Sequence, residues 1–187
     1  MKTFAEDLSE LFYKYGCIKS SQIDDVAYSI QMAAVRIIGI IMVVIIGMST
    51  NNLVGSLLFY LLFAFLRKYS GGFHCNSVIG CTFLSAITIG LISALQFSLS
   101  KKNDILLVGL CLSAVIVLFI GAINNNSIAW SDKEYMIAKT ISKIRCCISL
   151  LLTVVFYFFM NSSVFLYCTT MAMSVNAISL LISYHRK

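Results

Sequence analysis

Long apolar runs, broken only by short polar turns, fill the chain from residue 32 to residue 183. In hydrocarbon every backbone amide must bond within its own segment, so a run of about 20 apolar residues crosses a bilayer core of roughly 30 Å as a helix. The pattern predicts an all-α, polytopic integral membrane protein with about six transmembrane or partly re-entrant helices. The runs are 32–48, 53–66, 78–97, 105–123, 146–160 and 164–183. The second, at about 14 residues, is short for a full crossing and is expected as a thin span or a partly re-entrant helix. Hydrophobic residues make up 59% of the 187 and charged ones 12%, against about 25% charged in soluble domains. Residues 1–187 are thus expected as a single membrane domain.

Residues 1–20 are read as an amphipathic helix ending near Gly16. Phe4, Leu8, Leu11, Phe12 and Tyr15 share one face and Glu6, Asp7, Glu10 and Lys14 the other. Such a helix lies at a membrane surface or packs on the rest of the protein. This start lacks the basic-then-apolar pattern of a cleaved signal peptide. The chain has no proline, so its bends must come from glycine and polar residues. Gly39, Gly47, Gly90, Gly109 and Gly121, inside the spans, are expected to serve close helix packing.

The net charge of +6 would suggest nucleic acid in a soluble protein. Here the positive residues sit in short loops, where topology and anionic lipid account for them and no nucleic acid is expected. An internal N-terminus and six crossings put Arg67 and Lys68, then Lys133, Lys139, Lys143 and Arg145 in a loop over 124–145, and finally Arg186 and Lys187, on the cytoplasmic side. Only Lys101 and Lys102 fall outside. Both termini are therefore expected in the cytoplasm.

Between the second and third runs lies a polar island, 67–77, expected as a cytoplasmic catalytic loop leading into Cys81. It holds His74, one of two histidines, with Gly71, Gly72 and Cys75. A cysteine nucleophile needs a neighbouring base or cation to favour thiolate, and His74 with Cys81 supplies the residue types. Seven residues of straight helix rise about 10.5 Å, too far for the imidazole to reach the sulfur. If the two cooperate within one chain, the island must fold back, and Gly71 and Gly72 permit the positive φ that this needs. Contact across a dimer is a second way to close the distance. Arg67 is a topology charge and a candidate clamp for a substrate carboxylate.

Plainer readings stand beside this one. A loop histidine is commonly an interfacial side chain, and a cysteine opening an apolar helix is commonly just packed. His74, Cys75 and Cys81 would also suit zinc or copper, though without a clear fourth ligand, and no metal or other cofactor is expected. A non-enzymatic transporter or accessory subunit is the competing class, yet transporters usually carry charged or broken helices near the midplane, and these spans hold no ionised residue beyond Arg36 near an interface. Cys111, Cys146, Cys147 and Cys168 lie in apolar runs and are expected as small buried hydrophobes. Asp132 and Glu134 are expected as solvated charges, and Gln96 and Asn176 as helix-packing hydrogen bonders.

The run Arg67…Gly71-Gly72-Phe73-His74…Cys81, in a six-span protein of this size, resembles the AgrB family of accessory gene regulator membrane peptidases. The resemblance implies a cysteine endopeptidase of the bacterial cell membrane that removes the C-terminal part of an AgrD-like quorum-sensing propeptide and leads to a cyclic thiolactone or lactone. It puts the family's histidine on His74, its nucleophile on Cys81, its motif arginine on Arg67 and its motif glycine on Gly72, and it is compatible with a homodimer. One departure concerns the stretch Ile123-Asn124-Asn125-Asn126-Ser127, which lacks the prolines that family members usually carry after the fourth span.

Overall fold

The computed structural model describes residues 4–72, 78–124 and 130–185. Their regular structure is helical, with one isolated parallel bridge between Gly71 and Ile123. Six of the helices are long and apolar enough to cross a membrane, as the apolar runs predict.

The chain divides into two compact units, Met1–Met42 and Val43–Lys187. In the first, α1 (Phe4–Lys14) carries the expected amphipathic pattern and the chain turns at Gly16, with φ 73°. A short 3-10 turn, Ser20–Gln22, then leads into α2 (Ile23–Ser49). The Lys19 N–H donates to the Gln22 side chain at 3.0 Å and holds that turn. The last residues of α2, from Val43, belong to the second unit.

The second unit continues with α3 (Leu53–Ser70), α4 (Val78–Leu99), α5 (Asn103–Ile120), α6 (Asp132–Met160) and α7 (Ser163–His185). Without proline, the turns rely on residues that tolerate a left-handed backbone. Asn51, φ 53°, makes the turn before α3, and Asn161, φ 48°, closes α6. The short second run is an unbroken 18-residue helix, because Arg67, Lys68, Tyr69 and Ser70 of the polar island extend α3 by a turn. The polar stretch 132–145 is likewise helical and continuous with the fifth run, which makes α6 29 residues long. Ser131 caps it, with Glu134 reaching back to the Ser131 N–H at 2.9 Å.

The core of this unit forms around α7. Its apolar window is 61% buried, against 28% or less for α3 to α6, and it packs on α3, α5, α6 and α4. Leu166, Tyr167, Met173 and Leu180 are fully buried there, whereas large apolar residues such as Phe83, Leu91, Val115 and Phe158 point outward, as a lipid-facing surface requires. In lipid the helices gain little from hydrophobic burial against one another, so close packing and interhelical hydrogen bonds matter more. Ser56 and Ser93 join α3 to α4 at 2.6 Å, with Asn52 donating to Gln96 at 2.8 Å nearby. Ser113 and Ser174 join α5 to α7 at 2.8 Å, and the Tyr167 hydroxyl donates to the Ile92 carbonyl at 2.7 Å. Gly47 and Gly109 allow close approaches to Leu53 and Thr170, as expected, but a Cβ on Gly90 would meet nothing within 4 Å. Gly121 stands just past the end of α5, with φ 75°, and it too serves close packing, since a Cβ there would come within 2.7 Å of Lys139 on α6.

Cys146 and Cys168 are buried, as expected of thiols in apolar runs. Cys111 and Cys147 depart from that expectation and are exposed, because the helical period turns them toward the lipid-facing side of α5 and α6.

Candidate active site

The site grows out of the end of α3. The last turn carries Arg67 and Ser70, and the helix stops at Gly71, with φ 65° and ψ −125°, followed by Gly72, with φ 90°. These are conformations that L side chains rarely adopt, so the two glycines end α3 with the positive φ expected of them, just ahead of His74. After Gly72 the chain re-enters the described structure at α4, with Cys81 in the first helical turn. Phe73, His74 and Cys75 lie outside the described residues, so the pairing of His74 with Cys81, and the metal reading that involves Cys75, have no geometry here. Arg186 and Lys187 also lie outside them.

Three sets of contacts hold the break in place. The Ser70 hydroxyl donates to Asn176 Oδ1 at 2.8 Å, tying the end of α3 to the middle of α7. The Ser70 carbonyl accepts from the Ile123 N–H at 3.0 Å, beside the Gly71–Ile123 bridge. The segment around Ile123 is itself pinned to α6, where the Ser142 hydroxyl donates to the Gly121 carbonyl at 2.7 Å and the Tyr135 hydroxyl to the Ala122 carbonyl at 3.2 Å. On the outer side of α3, Arg145 donates to the Phe65 carbonyl at 2.7 Å and stacks on Phe65 and Tyr69.

Arg67 turns the other way, into the molecule. Its Nη1 donates to Ser179 Oγ at 2.6 Å, and Gly72 lies directly against both. A Cβ added at Gly72 would overlap Arg67 Nη1 and stand 2.9 Å from Ser179 Oγ.

Arg67, Ser179 and Cys81 line one cavity of about 470 Å³, within the usual range for a ligand site. Its walls follow helical spacing. On α4, Leu84, Ser85, Thr88 and Ile89 continue the face opened by Cys81, while Phe63 and Tyr60 continue the face of Arg67 on α3. From Cys81 to Ile89 the helix rises about 12 Å. The cavity is therefore polar at the Cys81 end and apolar toward the membrane interior. Arg67 on α3 and Cys81 on α4 thus line the same space from neighbouring helices.

Of the residues singled out from sequence, the structure brings together Arg67, Gly72 and Cys81, with Gly71 forming the break. Glu134 is engaged in capping α6, not in the site. Ser179 and Ser70 carry roles that the sequence reading missed. Asn176 and Ser179 lie three apart and so on one face of a helix, but Thr169, Thr170, Ser174 and Ser183 share the same run, so the spacing alone did not single Ser179 out.

The model of the family described as Accessory gene regulator B matches residues 5–180. Comparison with curated proteins and with solved structures found no match. With nearly the whole chain matched and six membrane-length helices in the structure, the protein is a multi-pass membrane member of the AgrB family, and its role lies in autoinducing-peptide processing in quorum sensing.

Proposed function

We propose that this protein is a membrane-embedded cysteine endopeptidase that cleaves the C-terminal part from an AgrD-like propeptide through an acyl-thioester on Cys81. The observation that carries this reading is Cys81 at the mouth of an apolar cavity that also holds the Arg67 guanidinium. His74 acts as the base and takes the Cys81 proton. The thiolate then attacks the scissile carbonyl carbon, and the C–S bond forms as the carbonyl oxygen becomes an oxyanion. When the C–N bond breaks, the leaving amine takes the proton back from the imidazolium, and the acyl group stays on Cys81.

The cavity receives apolar side chains of the precursor beside the scissile bond, and its apolar walls exclude water from the thioester. An internal cysteine thiol or serine hydroxyl of the precursor then attacks the thioester carbonyl. This closes the ring and returns Cys81 to the thiol. In the proposed topology the Cys81 end faces the cytoplasm, on the side of Lys68, Lys133, Lys139 and Lys143, where positive charge is retained. A newly made precursor with an amphipathic segment reaches it along that face.

Co-expression with a candidate precursor tests the reading. Cys81→Ala and His74→Ala should each abolish cleavage while the protein still accumulates in the membrane. Persistence of cleavage in both variants would rule the pair out.

A further inference from the structure

We propose that Ser179, on α7, is the positioning residue that aims the Arg67 guanidinium at Cys81. This deepens the peptidase reading and rests on it for the consequence in turnover.

Arginine has a long side chain with many rotamers, and its charge is useful to a reaction only if its direction is fixed before the charge develops. Arg67 leaves α3 near the cytoplasmic end of an otherwise apolar cavity. A guanidinium in such surroundings must be held by hydrogen bonds. The 2.6 Å bond to Ser179 Oγ ties it to α7, the most buried helix of the unit.

The neighbouring residues keep this geometry. Gly72 leaves the space the pair occupies, since any Cβ there would overlap Arg67 Nη1. One turn earlier on α7, Asn176 accepts from Ser70 and sets where α3 ends. A single face of α7 thus fixes both the end of α3 and the direction of the side chain three residues before that end. Ser179, Arg67 and Cys81 line the same cavity from α7, α3 and α4, so the bond to Ser179 holds the guanidinium at the wall of the space that Cys81 faces.

The test uses the full chain in proteoliposomes and two readouts. The first is precursor cleavage, resolved into kcat and KM. The second is the rate at which iodoacetamide alkylates Cys81 at fixed pH, followed by mass spectrometry of the peptide that contains it. A misplaced catalytic group costs up to about a hundredfold, so Ser179→Ala is expected to lower kcat by about ten- to a hundredfold with KM nearly unchanged. It should also slow Cys81 alkylation, and Ser179→Thr, which keeps the hydroxyl, should restore both. Ser174→Ala makes the same change on the same helix but toward α5, and should leave both readouts as in the wild type. Arg67→Gln should slow alkylation, and adding Ser179→Ala to it should slow it no further, because the two act through one interaction.

Wild-type alkylation in Ser179→Ala, or additive losses in the double variant, would overturn the proposal. Failure of the peptidase reading is separate. If Cys81→Ala still cleaves, that reading falls, while the alkylation arm still decides what Ser179 does for Arg67.

Discussion

The Ser70 hydroxyl donates to Asn176 Oδ1 at 2.8 Å across 106 residues of sequence, and both side chains are fully buried. A short buried polar pair thereby anchors the last turn of α3 to α7, directly before the glycine break. The Asn176 Nδ2 has no hydrogen-bond partner among the described residues, so the pair costs some stability where it stands.

Asn176→Ala removes the bond and also the unpaired amide. Interhelical hydrogen bonds in membranes are worth on average about 0.6 kcal/mol and at most about 1.7 kcal/mol, so the net change in thermal unfolding in detergent should be small. Precursor cleavage should nevertheless fall by about tenfold, because a break displaced by a fraction of an ångström misplaces catalytic groups. A large loss of stability with unchanged turnover per folded molecule would contradict this.

Gly72→Ala meets two penalties at once. A residue with a Cβ at φ 90° is strained by about 1–2 kcal/mol, and its methyl group would overlap Arg67 Nη1. Cleavage is expected to drop by about a hundredfold with membrane insertion intact, as read by activity against immunoblotted membrane fractions.

Filling the apolar end of the cavity separates substrate binding from chemistry. Thr88→Trp places an indole where the cavity runs below Cys81. The expected result is a rise in KM of about tenfold or more for the precursor, with Cys81 alkylation by a small reagent unchanged. Slowed alkylation would mean that the substitution reached the polar end and not the apolar one.

Arg145 shows why a charge that fits the topology rule has a second task. It donates to the Phe65 carbonyl and lies 4.6 and 4.4 Å from the rings of Phe65 and Tyr69. Lysine keeps the charge but loses the planar donor fork and the stacking, so Arg145→Lys should keep the topology and lower stability by about 1–2 kcal/mol. Cysteine-accessibility mapping and thermal unfolding would report the two separately.

Much of this architecture was legible in sequence because the bilayer allows few solutions. Apolar length sets the spans, and Asn51, Gly71, Gly72 and Asn161 break them where the runs end. The boundaries were harder. Arg67 to Ser70 and Asp132 to Arg145 read as polar segments, yet both are helical, because polarity reports whether a residue meets water and not whether its backbone is coiled. Ser179 was invisible for another reason. A serine in an apolar helix is ordinary, and only the fold reveals that it faces an arginine 112 residues earlier. His74 lies outside the described residues, so its role rests on residue type and on the family resemblance.

The central position of α7 also bears on timing. The Arg67–Ser179 and Ser70–Asn176 bonds span 112 and 106 residues, and α7 is the last described helix to leave the ribosome. Until it enters the membrane, the cavity lacks a wall and Arg67 lacks its α7 anchor. On the proposed reading, the surroundings of Cys81 are therefore complete only once α7 has joined the other helices.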